Sequence, residues 1–337
     1  MSNTSSAVSP TVLFAPEASR GLGECVARAL DMTLAPSEER EFDAGEHKMR
    51  SLVSVRDRDV YIVQTLCGDA KASANDRLCR LLFFIGALKD DGAASVTACV
   101  PYLAYARKDR RSKPHDPITT RYVAALFEAV KTDRVVVLDV HNLAAFENAF
   151  RIQTVPLDSA SLFAQHSLIK GTSGEWVVAS PDVGGVKRAQ HLREIFETEL
   201  KRPVGAAFMD KKRSGGLVSG DTLVGDVSGK RVLIVDDIIS SGATMSRAVV
   251  ACRKAGATEV HLAATHAVLA PEVRRLFESE DRTAIPNSVV VTDSVALRSD
   301  FTRFIGRGLD VVSIAPLYAE AIRRLHQSAD ISDLCGL

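Results

Sequence analysis

The sequence lacks the features that mark membrane proteins and proteins that bind nucleic acid. Lysine plus arginine and aspartate plus glutamate both number 42 among the 337 residues, so no net charge favours a nucleic acid or an anionic membrane. No apolar run approaches the roughly 20 residues of a membrane span, and the N-terminus has no basic region followed by an apolar one. We therefore expect a cytoplasmic protein that binds neither nucleic acid nor membranes.

Two familiar kinds of motif are also missing. The six cysteines show no C-x-x-C spacing and mostly lie in apolar segments, which favours buried free thiols over disulfides or a zinc site. The segment GDVSGKR at residues 225–231 has the wrong spacing for a phosphate-binding P-loop, and no Ser or Thr follows its lysine. If the protein binds ATP, it does so without a P-loop.

Apolar runs alternate with helical patterns along the whole chain, which predicts an α/β protein with mainly parallel sheets. A weak internal repeat places a histidine after a similar helix and strand at 117–141 and again at 241–266, which suggests two tandem doubly wound domains related by duplication. Predicted strands cover 12–14, 60–64, 96–101, 134–140, 176–180, 204–209, 232–235 and 260–265, and predicted helices cover 73–88, 118–130, 183–200 and 314–326. The predicted organisation is a disordered tail at 1–10, domains at 11–158 and 159–310, and a C-terminal segment at 311–337 that docks on the first domain.

Residues 232–255 form the most informative stretch of the chain. An apolar strand ends in two carboxylates, Asp236 and Asp237, and the small residues 240–244 then open an amphipathic helix. Backbone N–H groups at such a turn can bind an anion, and the helix dipole favours it. The carboxylates would repel a phosphate but suit vicinal hydroxyls. The pattern therefore predicts a pocket for a phosphorylated sugar, against the alternative of an ordinary strand–turn–helix unit.

Other polar clusters follow predicted strands, where ligands bind in open α/β sheets. His141 and Asp182 each follow one strand, and they could share a Mg²⁺ ion that keeps most of its waters and bridges substrate phosphates. The alternative is that the histidine is structural. Lys211 and Arg213 open a Gly- and Ser-rich segment with the composition of a mobile lid, although a solvated basic turn has the same composition. Five basic residues at 107–113 suit a polyphosphate.

The carboxylates and the turn at 232–255 resemble the phosphoribosyl-diphosphate loop of type I phosphoribosyltransferase-like proteins. From about residue 42 to residue 325 the sequence resembles the ribose-phosphate pyrophosphokinases. The most specific segment is PYLAYARKDRRSKPHDPITTRYVAALFEAVKTDRVVVLDVH at 101–141, which phosphoribosyltransferases lack. Further family motifs, SPDVGG, MDKKR and VDDIISSGAT, follow in the expected order.

The resemblance implies a role for each matching position. Lys211, Arg213 and His141 would be catalytic, and His141 and Asp182 would be Mg²⁺ ligands. The remaining implied positions are the ATP-binding residues Phe42, Gly45, Glu46, Arg107, Lys108 and Asp109 and the ribose 5-phosphate-binding residues Asp236, Asp237, Ser240, Ser241, Gly242, Ala243 and Thr244.

The implied activity is ribose-phosphate diphosphokinase, a transferase of nucleotide biosynthesis. It moves the pyrophosphoryl group of MgATP to the anomeric hydroxyl of ribose 5-phosphate, which gives 5-phosphoribosyl 1-diphosphate and AMP. The family also implies a homo-oligomer, a dimer or a multiple of dimers such as a hexamer, with an adenine site drawn partly from a neighbouring subunit. This chain departs from the family at Ala44, where an Asp is usual, at Lys108, where a Gln is usual, and in its sugar loop, Ser-Ser-Gly-Ala-Thr.

Two other functions remain open from the sequence. A phosphoribosyltransferase would use the same loop to consume the sugar diphosphate, but the segment at 101–141 argues against it. A non-catalytic regulatory subunit should lose the catalytic-loop cations or the metal histidine, whereas this chain keeps Lys211, Arg213 and His141.

Overall fold

The computed structural model describes residues 11–166, 174–214 and 217–336, with the backbone alone at 211–214 and 217–221. It divides the chain into two compact units. Unit 1 contains the described residues up to Asp158 together with those from Ala315 onward, and unit 2 runs from Ser159 to Ile314. The tail predicted at 1–10 lies outside the described residues.

A five-stranded parallel sheet forms the centre of unit 1. Its strands follow the order β1-β4-β5-β6-β7, and every neighbouring pair is parallel. Runs such as Arg-Val-Val-Val-Leu have apolar residues at consecutive positions, so both faces of the sheet are buried, as parallel sheets require. The strands of this unit are β1 (Thr11–Phe14), β2 (Ser37–Glu41), β3 (His47–Ser51), β4 (Asp59–Val63), β5 (Ser95–Val100), β6 (Arg134–Leu138) and β7 (Gln153–Leu157).

The second helix of unit 1 begins at a side-chain cap. The Ser73 hydroxyl accepts a hydrogen bond from the Asp76 N–H (3.2 Å), and the Asp76 carboxylate accepts one from the Ser73 N–H (2.7 Å), which forms a capping box. The sequence predicted this helix, at 73–88, and the helix that follows β5, at 118–130. The helices before unit 2 are α1 (Arg20–Ala29), α2 (Ala74–Asp90), α3 (Thr119–Ala129) and α4 (Leu143–Ala149).

Unit 2 is built on a seven-stranded sheet of order β10-β9-β8-β11-β12-β13-β14, parallel except for the β9–β10 pair. After β8 the chain adds β9 and β10 on one side of this strand and then β11 to β14 on its other side. The switch point of the topology therefore lies between β8 and β11. The strands are β8 (Trp176–Ser180), β9 (Gly205–Ser214), β10 (Leu217–Val224), β11 (Arg231–Ile239), β12 (Glu259–Ala267), β13 (Ser288–Thr292) and β14 (Leu309–Val312).

Helices cover both faces of this second sheet. On one face α5 (Ala160–Ala164) and α6 (Val186–Leu200) pack with strand residues such as Val178 and Leu233. On the other face α7 (Ala243–Lys254) packs with Val177 and Val232. Neighbouring residues of one strand thus belong to different cores, and the doubly wound α/β arrangement predicted from the sequence is confirmed.

The last helix, α8 (Ala315–His326), returns the chain to unit 1, where it packs against α1. Tyr318 and Ile322 are buried, and the Nδ1 atom of His326 lies 3.1 Å from a carboxylate oxygen of Asp59 at the start of β4. The chain thus leaves unit 1 once and comes back to it once. All six cysteines are free thiols, of which Cys79 is exposed and Cys25 half-buried.

Some local expectations differ from the structure. β11 continues beyond Val235 to Ile239 because residues 236–239 keep pairing with β12. β9 extends beyond residue 209 and pairs with β10, where the apolar, strand-forming residues Phe208 and Met209 lie opposite Val224 and Leu223. The role of this hairpin as a lid stays a prediction. The β2–β3 hairpin was missed because its strands, SEERE and HKMRS, have almost no apolar alternation.

Candidate active site

Two adjacent carboxylates lie at the switch point of unit 2. Asp236 and Asp237 occupy the second half of β11, and Asp237 is only 3% exposed. One guanidinium nitrogen of Arg188, on α6, lies 3.2 Å from Asp236 Oδ1 and 3.3 Å from Asp237 Oδ1. Burial, followed by the charge of Asp237, raises the pKa of Asp236 to about 7. Arg188 partly offsets this repulsion and holds the two carboxylates in place.

The residues after β11 form the turn that was predicted to bind phosphate. Ser240 and Ser241 lead into Gly242, which has φ of +71°, and α7 starts at the next residue. The turn is fixed from outside, because the Ser240 carbonyl accepts a hydrogen bond from the Ala270 N–H (3.0 Å) and the Ser241 carbonyl accepts one from Arg275 Nη2 (3.1 Å). The first N–H groups of α7 have no helical acceptor, so Ala243 and Thr244 lie where an anion is stabilised.

Asp182 follows β8, the strand next to β11 in the sheet, so it lies at the same edge as the carboxylate pair. Its Oδ1 atom accepts a hydrogen bond from the Gly185 N–H (3.1 Å), and the Ser180 hydroxyl donates to its carbonyl (2.6 Å). A Cβ atom on Gly185 would come within 2.6 Å of the Ser180 oxygen, so this tight turn requires a glycine. The turn holds the Asp182 carboxylate in a defined position.

Lys211 and Arg213 lie in β9, the strand on the other side of β8. The backbone of Lys211 pairs with that of Asp221 and the backbone of Arg213 with that of Val218. The side chains of both residues lie outside the described part of the chain, so their catalytic roles stay predictions.

In unit 1 the segment between β5 and α3 holds Arg107 and Lys108, both exposed. The carbonyl of Tyr105, which has φ of +65°, accepts hydrogen bonds from the Lys108 N–H (2.9 Å) and from the hydroxyl of Thr120 at the start of α3 (2.9 Å). Arg107 and Lys108 therefore follow a backbone turn that is anchored to α3.

The distal half of the same segment is organised by Asp116. Its carboxylate accepts hydrogen bonds from the Ser112 hydroxyl (2.9 Å), the Lys113 N–H (2.8 Å) and the Ser112 N–H (3.1 Å). These bonds hold the pKa of Asp116 below its usual value, first through the hydroxyl of Ser112. These bonds give the distal half of the basic segment a defined conformation.

His141 lies in the turn between β6 and α4 and is exposed. The backbone there is unusual, because Asp139 has φ of +39°. Asn142 caps α4 by accepting a hydrogen bond from the Ala145 N–H (3.2 Å), and its amide nitrogen donates to Asp109 Oδ2 (2.6 Å). The turn that carries the predicted metal ligand is thus bonded directly to the basic segment.

Phe42, Gly45 and Glu46 form the tip of the β2–β3 hairpin. The Phe42 N–H donates to the Glu46 carbonyl (2.8 Å), and the Phe42 ring is 42% exposed, with the Arg40 guanidinium 4.9 Å from its centroid. An exposed ring on a closed turn is suited to stacking on a flat base. Ala44 has φ of +66°, a conformation that Asp, the residue usual in the family, adopts more readily.

The shared metal ion stays a prediction. Among the described residues no group of three or more His, Cys, Asp or Glu side chains could hold a metal ion. His141 belongs to unit 1 and Asp182 to unit 2. Imidazole nitrogen and carboxylate oxygen are both chemically suited to a Mg²⁺ ion that keeps most of its waters.

Sequence reasoning missed Arg188 and Asn142. Neither lies in a motif whose chemistry is obvious, since Arg188 looks like one more cation on a helix surface and Asn142 like an ordinary helix cap. The two histidines of the weak repeat have different surroundings. His266, the counterpart of His141, is buried in β12, and its Nδ1 atom lies 2.9 Å from the Ser294 hydroxyl oxygen.

The raised pKa of Asp236 predicts a specific pH dependence. An acid whose pKa is higher in the folded than in the unfolded state, where it is about 4, stabilises the fold while protonated, and this stabilisation is lost as pH rises toward 7. The Asp236→Asn variant mimics the protonated form. In thermal unfolding without substrate, we expect its stability advantage over the wild type to grow between pH 4 and pH 7. A difference that is constant over this range would contradict the prediction.

The fold and site together define a phosphoribosyltransferase-type α/β protein. Family models agree with this class. The model for the N-terminal domain of ribose phosphate pyrophosphokinase matches residues 11–130, and the model for the phosphoribosyl transferase domain matches residues 151–292.

Known relatives narrow the class to one family. The ribose-phosphate pyrophosphokinase of Caldanaerobacter subterraneus subsp. tengcongensis is 36% identical over 324 residues, 96% of each chain. That of Wolinella succinogenes is 33% identical and covers 96% of this chain and 98% of its own. The crystal structure of phosphoribosylpyrophosphate synthetase from Mycobacterium smegmatis matches with a TM-score of 0.83 at 33% identity, covering 95% of this chain and 100% of that one. The chain belongs to the ribose-phosphate pyrophosphokinase family.

No helix among the described residues is long and apolar enough to cross a membrane.

Proposed function

We propose that this chain is a ribose-phosphate diphosphokinase that feeds nucleotide biosynthesis. It transfers the pyrophosphoryl group of ATP to the anomeric hydroxyl of ribose 5-phosphate and releases AMP. The observation that carries the proposal is the pairing of a buried carboxylate, Asp237, and a half-buried one, Asp236, with the small-residue turn that opens α7 at the switch point of unit 2. Family membership supplies the reaction, and the pairing explains how a phosphorylated sugar is recognised.

Ribose 5-phosphate binds to unit 2 in this proposal. The 5-phosphate accepts hydrogen bonds from backbone N–H groups and hydroxyls of residues 240–244, with Gly242 allowing the close approach. The ribose hydroxyls donate to Asp236 and Asp237, which Arg188 holds in place. This division is required by charge, because the carboxylates would repel the phosphate and the turn would not orient the hydroxyls.

ATP binds to unit 1 in this proposal. The Phe42 ring stacks on the base, with Gly45 and Glu46 completing the tip of the hairpin, and Arg107 and Lys108 contact the polyphosphate. Asp109 orients that segment. His141 and Asp182 are the residues that would hold Mg²⁺, which supplies charge neutralisation of the phosphates when bound.

The chemistry needs cations and positioning rather than a covalent nucleophile. The anomeric hydroxyl attacks the β-phosphorus of ATP, the bond from that phosphorus to the α-phosphate oxygen breaks, and AMP leaves. Lys211 and Arg213 would stabilise the negative charge that builds up in this transition state. We further propose that the enzyme is cytoplasmic and forms a homo-oligomer, a dimer or a multiple of dimers.

The pure protein should be incubated with MgATP, with and without ribose 5-phosphate, and the nucleotides separated by chromatography. We expect AMP only when the sugar phosphate is present. ADP in its place would mean transfer of a single phosphoryl group and would contradict the proposal. GTP and CTP should be compared as donors because Ala44 replaces the usual Asp.

The same assay separates the two rival functions. A phosphoribosyltransferase would give no AMP from these substrates but would exchange a base on phosphoribosyl diphosphate. A folded protein with no turnover of any nucleotide would favour the regulatory-subunit function.

A further inference from the structure

The Asn142 side chain links two parts of unit 1 that have separate roles in the proposed function, the basic segment at 107–113 and the turn that carries His141. Its carboxamide oxygen accepts the hydrogen bond from the Ala145 N–H that caps α4, and its carboxamide nitrogen donates to Asp109 Oδ2 at 2.6 Å. Asp109 directly follows Arg107 and Lys108 in the basic segment, and Asn142 directly follows His141. Both ends of the same side chain are therefore occupied, each by a different element.

We propose that Asn142 is a positioning residue that sets the basic segment relative to the turn carrying His141, and thereby controls the affinity for ATP. The inference rests on the proposed function, because it assumes that residues 107–109 and His141 act on the same nucleotide.

The two hydrogen bonds of the Asn142 side chain differ in strength. The bond to Asp109 has a carboxylate as its acceptor, and bonds of this kind are stronger than those between neutral groups. Among the described contacts, the backbone of Lys108 bonds to Tyr105 and Thr120, which anchors the start of the basic segment, and Asp116 organises its distal half. Arg107 and Lys108 are exposed and lie close to this anchored start of the segment. Without the bond to Asp109, only the backbone bonds at the start of the segment would position the two side chains relative to the nucleotide.

Only an amide at position 142 satisfies both partners. An Asp keeps an acceptor for the cap but loses the donor and places a second carboxylate against Asp109. An Ala loses both bonds. Asn142→Asp is thus the informative change, because it removes the link while it keeps the helix cap.

The test compares Asn142→Asp with the wild type in steady-state kinetics and in hydrogen exchange of residues 105–117. We expect the KM for ATP to rise roughly tenfold, from the loss of one charge-assisted hydrogen bond, and the KM for ribose 5-phosphate to stay within twofold. Amide exchange in the basic segment should become faster while the melting temperature changes little.

Asn148→Ala is the matched control, because Asn148 lies on the same helix and, among the contacts described, its side chain bonds only to the Ala144 carbonyl (2.7 Å). It should leave both KM values and the exchange rates unchanged. Adding Asp109→Asn to Asn142→Asp exchanges donor and acceptor, and it should bring the exchange of the basic segment back toward the wild-type rate.

Three results would overturn the proposal. The first is an unchanged KM for ATP in Asn142→Asp, and the second is an equal rise of both KM values, which would indicate general damage to the fold. The third is exchange that stays fast in the double variant. The exchange measurements need no turnover, so they report on the link even if the proposed reaction itself proves wrong.

Discussion

Replacing Lys211 by Ala is expected to lower kcat for AMP formation by about a hundredfold or more, the usual cost of removing one electrostatic donor from a transition state. The physical reason is that the pyrophosphoryl group carries several negative charges that become more concentrated on the bridging oxygen as AMP leaves. A cation positioned in advance stabilises that charge without reorganisation of solvent. The affinity for ribose 5-phosphate should change little, because the proposed site for this substrate is formed by residues of β11 and the turn after it.

Lys254→Ala is a suitable control for this experiment. It removes the same charge from the last turn of α7, where no role in binding or catalysis is assigned, and kcat should remain at the wild-type value. Turnover by Lys211→Ala within a few-fold of wild type would remove Lys211 from the catalytic group. A matching loss in Lys254→Ala would show that net charge, rather than position, is what matters.

Gly242→Ala is expected to raise the KM for ribose 5-phosphate by at least about tenfold. Its φ of +71° costs an L-residue about 1–2 kcal/mol, and a Cβ there would lie 2.9 Å from Val273 Cγ2 and 3.1 Å from Leu276 Cδ1. The backbone must therefore move away from these buried side chains, and the N–H groups that face the phosphate move with it. Binding measured by titration with ribose 5-phosphate should weaken in parallel with the KM.

Gly229 provides a closely matched control in the same unit. Its φ is +72°, but a Cβ there would meet nothing within 4 Å. Gly229→Ala should therefore lose a similar amount of stability from backbone strain while keeping the wild-type KM. If both variants bound ribose 5-phosphate equally well, the turn at 240–244 would not be the phosphate site.

The sequence was sufficient for many of the buried strands, although β7, β13 and β14 were not predicted. Four of the five residues of Trp176–Ser180 are apolar, so a buried strand there follows from composition. The carboxylates and the small turn after β11 were recognisable because their chemistry is local, and a few consecutive residues carry it.

What could not be predicted depends on contacts between distant positions. Arg188 reaches Asp236 across 48 residues of sequence, and Asn142 reaches Asp109 across 33. The β2–β3 hairpin escaped notice because its strands are polar, and it is held by cross-strand contacts such as that between Arg50 and Glu38. Local patterns cannot reveal which of many surface Arg or Asn side chains will find such a partner.

The return of α8 to unit 1 has a consequence for how the chain is made. Most of unit 1 precedes unit 2 in the chain, yet Tyr318, Ala319 and Ile322 of α8 are buried and belong to unit 1. On the ribosome unit 1 therefore emerges before unit 2 but stays incomplete until α8 has been synthesised. Unit 2 is contiguous and has all its strands before α8 appears. Unit 1, which is translated first, can therefore finish folding only after unit 2. A chain that stops at Ile314 would leave an apolar surface of unit 1 uncovered.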